Sequence, residues 1–245
     1  MYNKFFYRNQ VENSYSSAEI FAKFIATIFK PKSVVDVGCG KGVWLKAFDE
    51  QFECDTVGVE GKWLKREELI YKPSIFLNKD LNAKLKIDGK FDLLLSMEVA
   101  EHLNPDMSKC FINELCSLSD FIIFSAAVPY QGGIYHTNEN SPSSWAIKFQ
   151  DNGFICYDIF RERFAANRDV ALWYRQNASL YVKEGSKSHD LLTHNGYKAL
   201  TNYYFLDLVD LDLYVKRIKP AGYIKYWIAK ILPSKLVALL HGIFK

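Results

Sequence analysis

The stretch Val34-Val-Asp-Val-Gly-Cys-Gly-Lys-Gly42 decides the fold. Its first residues are mostly β-branched and apolar, which is typical of a buried strand. The three glycines that follow allow a tight turn and the close approach of a ligand to the backbone. A helical pattern begins after Gly42, and the first N–H groups of such a helix are free to bind an anion. We therefore predict the first strand, turn and helix of a nucleotide-binding α/β fold.

Short apolar runs and amphipathic stretches alternate around this unit. The predicted strands are Ser33–Val37, Thr56–Val59, Ile75–Leu77, Phe91–Ser96 and Phe121–Ser125, and the predicted helices are Val43–Phe48, Lys62–Ile70 and Pro105–Leu118. Such alternation indicates a parallel sheet with helices on both faces. Two further runs, Cys156–Phe160 and Ser179–Lys183, predict an antiparallel hairpin at its end. The fold class is therefore a Rossmann-like, mostly parallel sheet of seven strands.

Three segments are expected. Residues 1–30 read as an N-terminal helical cap that Pro31 ends, and residues 31–185 as the main domain. Residues 186–245 read as a helical extension, in which Lys216 to Lys245 contain seven Lys or Arg and no acid. This extension fits a helical hairpin packed on the domain or on a second subunit of a homodimer. It also fits a basic amphipathic segment on an anionic membrane surface.

Composition excludes several classes of protein. The 245 residues are 49% hydrophobic and 24% charged, which fits a folded chain with one substantial core. A net charge of +3 is too small to indicate a nucleic-acid partner. Five cysteines without a CxxC pair favour reduced thiols. With no apolar leader and no run of 18 apolar residues, we expect a cytoplasmic protein, at most peripheral to the inner membrane.

The spacing of the glycines distinguishes between two candidate classes of cofactor. A dinucleotide fingerprint needs its third glycine at position 43, where this chain has Val43. GxGxG with Asp36 two residues before it resembles motif I of the class I S-adenosylmethionine-dependent methyltransferases, whose loop lines the methionine part of the cofactor. Glu60 ends the second predicted strand, where a carboxylate accepts both ribose hydroxyls. The resemblance assigns cofactor contacts to Asp36, Gly38, Cys39, Gly40, Gly42, Glu60 and Gly61.

Two later segments extend the resemblance. Lys79-Asp80-Leu81 follows the third strand, where family members place an acid or amide on the adenine amino group and an apolar side chain on the ring. Phe91 to Leu103 resembles the fourth-strand signature of ubiquinone-type O-methyltransferases. In that signature, Ser96 and Met97 face the cofactor.

Glu98, Glu101 and His102 are spaced i, i+3 and i+4, so a helix that begins at Glu98 would place them on one side. Two carboxylates and an imidazole on one face favour a divalent ion. The pattern resembles metal-binding methyltransferases of the small-RNA 2′-O and quinone-type groups, and the RNA enzymes take a further His from a later loop, here His136. The expected ion is Mg²⁺ or Mn²⁺. Alternatively, Glu98 and Glu101 are charges stabilised at a helix N-terminus, and His102 is a lone general base or a packing residue. The candidate catalytic residues are His102, His136 and Glu98.

The loop Pro129 to Pro142 contains Tyr, Gln, His, Asn and Glu around Gly132 and Gly133. Its polarity suits a polyhydroxylated or phosphorylated small-molecule acceptor. Residues 132–153 and Trp173-Tyr-Arg-Gln-Asn177 resemble methyltransferases found with bacterial surface-polysaccharide genes. Arg175 is expected either to pair with an acceptor phosphate or to be hydrogen-bonded inside the domain.

The leading hypothesis is an O-methyltransferase for a sugar, sugar nucleotide or phosphorylated precursor of a capsule or lipopolysaccharide. A methyltransferase for a membrane quinone or another lipid is the first alternative, motivated by the basic extension. An NAD-dependent oxidoreductase and a non-catalytic binding module are the others.

Overall fold

The computed structural model describes residues 4–133 and 135–215, with side chains from residue 11 onward. The chain divides into two units, Met1–Leu208 and Val209–Lys245. The first unit contains the sheet and extends past residue 185. The predicted helical hairpin and the basic stretch 216–245 lie outside the described residues.

The described residues of the first unit form seven strands and seven α-helices. The strands are β1 (Ser33–Val37), β2 (Asp55–Glu60), β3 (Ile75–Asn78), β4 (Leu93–Met97), β5 (Phe121–Ser125), β6 (Phe154–Tyr157) and β7 (Ser179–Lys183). The helices are α1 (Lys4–Ile25), α2 (Val43–Phe52), α3 (Ser108–Leu118), α4 (Pro142–Gln150), α5 (Ile159–Phe164), α6 (Leu172–Asn177) and α7 (Lys187–His194).

The strands form one sheet in the order β3-β2-β1-β4-β5-β7-β6. Strands β1 to β5 pair in parallel, and β7 runs antiparallel between β5 and β6. The predicted fold, including an antiparallel end, is therefore confirmed. The strand order reverses between β1 and β4, and ligands of such sheets bind beyond the carboxyl ends of the strands at this point.

The core lies on both faces of the sheet because its central strands are mostly apolar and buried on both sides. Every residue of β4 and β5 is buried. One face packs against side chains of α1, α2, α5 and α6, and the other against α3 and α4. Helix α1 belongs to the first of these layers, where Phe21 is fully buried and its ring lies 5.3 Å from that of Trp44.

Two predicted elements are wrong. The helix expected over Lys62–Ile70 is a turn with a single 3-10 helix at Arg66–Glu68. Its buried residues, Leu64 and Leu69, are five apart and cannot share one helix face. The strand expected over Cys156–Phe160 is displaced, since β6 ends at Tyr157 and helix α5 begins at Ile159.

Candidate active site

The glycine turn follows β1 at the carboxyl edge of the sheet. Gly38, Gly40 and Gly42 all have positive φ, at 86°, 50° and 81°. A Cβ atom at Gly38 would lie 2.3 Å from Cγ2 of Val99, and one at Gly42 would lie 2.7 Å from the carbonyl oxygen of Tyr71. At Gly40, by contrast, a Cβ atom would meet nothing within 4 Å. The middle of the turn therefore faces open space, where a ligand can approach the backbone.

Glu60 ends β2 and is aimed at this turn. Its Oε2 accepts the N–H of Gly40 at 2.8 Å, and its Oε1 accepts the N–H of Gly61 at 2.7 Å. Burial raises the pKa of the Glu60 carboxyl, and the two backbone N–H groups oppose that rise. A carboxylate also has further lone pairs, which remain for the hydroxyl groups of a ligand.

Two buried polar atoms beside the turn lack a partner within the described residues. These are Oδ1 of Asp36, in β1, and Oγ of Ser96, in β4. Burial raises the pKa of the Asp36 carboxyl well above its usual range, and the nearby charge of Glu60 adds to this effect. Buried polar atoms without partners are costly in proteins, so atoms like these are most often matched by a ligand or an ordered water.

The remaining predicted cofactor residues lie around the same edge. Met97 and Cys39 are buried, and burial raises the pKa of the Cys39 thiol. Asp80 is exposed, and its Oδ1 accepts the N–H of Asn82 at 2.9 Å. Leu81 is partly buried against the core. The segment that contains Asp80 and Leu81 is linked to the end of β2, because the N–H of Lys79 donates to the carbonyl of Glu60 at 2.9 Å.

Glu98 does not begin a helix, so the geometry expected for the Glu98–His102 segment is wrong. Its φ is +57°, a strained value for a residue with a side chain, and the 3-10 helix begins only at Ala100. Its Oε1 accepts from Nδ2 of Asn177 at 3.0 Å, and its Oε2 accepts from Nε2 of Gln131 at 3.2 Å. Burial raises the pKa of Glu98 to about 7, while these amide donors oppose the rise.

Glu101, His102 and His136 come together. Each offers a ligand atom, and these atoms all lie within 4.8 Å of one another. The rings of His102 and His136 are 4.8 Å apart and nearly perpendicular. Glu101 is 1% exposed, and no side chain among the described residues donates a hydrogen bond to its carboxylate, while the backbone N–H groups of Glu101 and Ala127 favour its charged form. Burial, and then the charge of Glu98, raises the pKa of Glu101 well above its usual range.

Both imidazoles are oriented by oxygen acceptors. Nδ1 of His136 lies 2.9 Å from Oε1 of Glu139. The His102 ring is hydrogen-bonded to the backbone of Tyr135. Although the residue is exposed, partial desolvation of its ring, followed by the neighbouring His136, lowers the pKa of His102. The lowered pKa favours the neutral form of the His102 imidazole.

Glu139 holds the loop that carries His136. Its two carboxylate oxygens also accept the backbone N–H groups of Tyr130 and Gly132, each at 2.7 Å. No role was predicted from the sequence for Glu139, although it lies three positions after His136 in the same loop. Asn177 ends a stretch quoted above for its resemblance, but no role was predicted for it or for Gln131, because their contacts with Glu98 join residues that are 79 and 33 positions away in the chain.

Arg175 lies inside the domain. It is 5% exposed, and its Nη1 donates to the carbonyl of Val170 at 3.4 Å. Of the two roles expected for it, the structure agrees with internal hydrogen bonding.

Comparison with known proteins shows which family has this architecture. The profile of a family described as "Methyltransferase domain" matches residues 7–158, which is more than half of the chain. The chain belongs to this methyltransferase family. The predicted family is thereby confirmed, and membership favours a methyltransferase over the oxidoreductase alternative.

Curated relatives match a shorter stretch. The chain is 35% identical over 95 residues to the chloroplastic tocopherol O-methyltransferase of Arabidopsis thaliana, a match that covers 35% of this chain and 26% of the relative. A probable tocopherol O-methyltransferase of Oryza sativa subsp. japonica is 34% identical over 98 residues, with 37% and 26% covered. The chain thus spans about a quarter of the length of these relatives.

A solved structure shares the fold of this methyltransferase domain at low identity. Magnesium protoporphyrin IX methyltransferase from Synechocystis PCC 6803, crystallised with bound S-adenosylhomocysteine, superposes with a TM-score of 0.53. The sequences are 15% identical, and 75% of this chain and 89% of that chain are covered. This likeness supports the fold described above. Among the residues that the structure describes, no helix is long and apolar enough to cross a membrane.

Proposed function

We propose that this protein is an S-adenosylmethionine-dependent O-methyltransferase that acts on a small polar acceptor. One observation carries the proposal: Glu60 and the glycine turn face each other across an edge where the backbone at Gly40 is open to a ligand. Family membership and the predicted motif I support the same cofactor.

The residues around the turn fit this cofactor. We assign Glu60 to hydrogen bonds with the ribose hydroxyls, and Gly40 to the place where the cofactor comes close to the backbone. The carboxyl of Asp36, whose Oδ1 lacks a partner among the described residues, is assigned to the polar methionine end of the cofactor. Asp80 and Leu81 are assigned to the adenine. The full set of proposed cofactor residues is Asp36, Gly38, Cys39, Gly40, Gly42, Glu60, Gly61, Asp80, Leu81, Ser96 and Met97.

When bound, S-adenosylmethionine supplies a methyl group that its sulfonium already activates. The protein's task is therefore to hold an acceptor hydroxyl in line with that methyl and to accommodate the hydroxyl proton. His102 is exposed at the cluster with Glu101 and His136, and as a neutral imidazole it has one ring nitrogen with a free lone pair. We assign the acceptor hydroxyl to this cluster.

We propose that Glu101, His102 and His136 hold a divalent ion, Mg²⁺ or Mn²⁺. The buried carboxylate of Glu101 and the two nearby imidazoles form a set of one acid and two histidines. Metal-binding histidines commonly donate their other N–H to a carboxylate or a carbonyl, and Glu139 and Tyr135 provide these acceptors. An ion there would lower the pKa of the acceptor hydroxyl. Glu98, predicted as a fourth ligand, is bound by Gln131 and Asn177 instead.

The proposed class of acceptor rests on the polar groups around Glu139. It also rests on the resemblance of residues 132–153 and 173–177 to methyltransferases found with bacterial surface-polysaccharide genes. Backbone amides, carboxylates and imidazoles dominate the loop around Glu139, and Arg175, the candidate phosphate ligand, is buried. We therefore favour a neutral, hydroxyl-bearing sugar over a phosphorylated one. Capsule or lipopolysaccharide synthesis is the proposed setting.

A phenolic acceptor is the second candidate, because the curated relatives named above are tocopherol O-methyltransferases. Radiolabelled S-adenosylmethionine should distinguish the two when it is offered with methyl glycosides, the matching hexose 1-phosphates, and a dihydroxybenzoate. We expect label in the glycosides, with less in the phosphates. Label only in the dihydroxybenzoate would contradict the sugar proposal and favour the second candidate.

We also propose a cytoplasmic location, since all five cysteines are free thiols. The homodimer and the peripheral membrane contact through residues 216–245 stay predictions.

A further inference from the structure

Tyr130 and Tyr135 are exposed aromatic residues in the loop between β5 and α4. The exposed fraction of the residue is 87% for Tyr130 and 84% for Tyr135, the two largest values among the exposed large apolar residues that the structure describes. A tyrosine in water keeps two flat apolar faces and a polar tip, and this combination suits contact with another molecule. The backbone of both residues indicates that these rings serve a ligand.

Both tyrosines hold their backbone in the left-handed region. The φ angle is 66° at Tyr130 and 61° at Tyr135. Glycine adopts this region freely, whereas the Cβ atom of any other residue makes it costly, so a glycine would fit either position with less strain. Strained residues of this kind cluster at active sites and ligand-binding loops, where the side chain is kept for function.

Hydrogen bonds fix both tyrosines beside the cluster to which the acceptor hydroxyl is assigned. The N–H of Tyr130 donates to Oε2 of Glu139 at 2.7 Å, and Oε1 of the same carboxylate lies 2.9 Å from Nδ1 of His136. The backbone of Tyr135 is hydrogen-bonded to the ring of His102, and Tyr135 directly precedes His136. The two exposed rings therefore start from backbone that is tied to the two histidines of this cluster.

We propose that Tyr130 and Tyr135 bind the ring of a pyranose acceptor through its C–H face. The proposal rests on the function proposed above, in which a sugar hydroxyl lies at the cluster. A pyranose carries hydroxyls around its rim and C–H groups on its faces, so a tyrosine ring can cover the apolar face. The phenolic hydroxyl then stays available for a hydrogen bond to the rim. The tyrosines thus add an apolar contact to an otherwise polar loop.

Steady-state kinetics with a methyl glycoside that the wild type methylates tests this role. We expect Tyr130→Gly and Tyr135→Gly each to raise the KM for the glycoside about tenfold. The kcat should stay within about threefold of wild type, because the sugar face is covered equally in the ground state and the transition state. Tyr130→Phe and Tyr135→Phe keep the ring and should restore most of the affinity. Tyr204→Gly is the control, since Tyr204 is also 72% exposed but lies in the 3-10 helix Tyr203–Asp207.

Thermal melting separates a binding role from a structural one. Because glycine relieves the strain at positive φ, we expect the Tm of Tyr130→Gly and Tyr135→Gly to equal or exceed that of the wild type. Their Kd for S-adenosylhomocysteine should be unchanged. Variants that melt at a lower temperature and lose activity in the same proportion would show that the tyrosines stabilise the loop, and would overturn the proposal.

The remaining outcomes distinguish this proposal from the proposed function. An unchanged KM in Tyr130→Gly and Tyr135→Gly would overturn the contact with the sugar face while the methyltransferase assignment stands. An equal rise in KM for the substitutions to Phe and to Gly would assign the effect to the phenolic hydroxyl, and would also overturn it. A wild type that methylates the dihydroxybenzoate and no glycoside would overturn the sugar acceptor and this contact together. Absence of S-adenosylhomocysteine binding by the folded wild type would overturn the proposed function itself.

Discussion

Glu60→Gln is expected to weaken the binding of S-adenosylhomocysteine about 100-fold or more. In the proposed complex the carboxylate accepts two ribose hydroxyls, and a hydrogen bond to a charged group contributes about 1.5–3 kcal/mol. Two such bonds correspond to at least two factors of about ten in Kd. Glutamine keeps the shape of the side chain but replaces one acceptor oxygen with a donor, which faces the N–H of Gly40 or Gly61.

Calorimetry measures this effect, and Glu67→Gln is the matched control. Glu67 is an exposed acid in the 3-10 helix shortly after β2, outside the cleft edge formed by Glu60 and the glycine turn. A change of less than threefold for Glu60→Gln, with the wild type binding normally, would show that Glu60 does not hold the ribose. Thermal melting of each variant separates lost binding from lost folding.

His102→Ala is expected to reduce kcat about 100-fold or more and to leave the Kd for S-adenosylhomocysteine unchanged. His102 belongs to the proposed acceptor cluster, and removal of a group that assists proton transfer typically costs a factor of about 10²–10⁴. The acceptor identified by the radiolabel assay serves as substrate. His194→Ala, at the end of α7, is the control. Activity within twofold of wild type would exclude His102 from the reaction.

Metal titration shows how His102 acts. We expect the wild type to bind one Mn²⁺ per chain and to lose activity with a chelator, and His102→Ala and His136→Ala to lose the ion. A wild type that binds no Mn²⁺ and keeps full activity with the chelator would contradict the metal proposal. His102 would then act as a metal-free base.

The pattern of apolar residues predicted most of the sheet. Ser33–Val37 and Phe121–Ser125 were predicted with the bounds that the structure has, because both are short and mostly apolar runs, as is typical of strands buried on both faces of a parallel sheet. The helix over Lys62–Ile70 failed because charged residues at helical spacing do not reveal that Leu64 and Leu69 anchor a turn.

The candidate site was less predictable where it depends on contacts between distant segments. Glu60 and the glycine turn follow adjacent strands, so strand order alone brings them together. The i, i+3, i+4 spacing suggested that Glu98 joins Glu101 and His102. The positive φ of Glu98 and its hydrogen bonds to Gln131 and Asn177 depend on three separate segments of the chain. No local sequence pattern encodes these contacts.

The central claim is that the open glycine turn and the facing carboxylate bind an adenosyl compound. Titration of S-adenosylhomocysteine into the wild type and into Gly40→Val tests it most directly, because a Cβ atom at Gly40 enters the open space and meets no protein atom within 4 Å. Since φ of +50° strains any side chain at this position, thermal melting checks that the variant is folded. We predict one binding site in the wild type and none in the folded variant. Equal binding by both proteins, or no binding by the wild type, would contradict the claim.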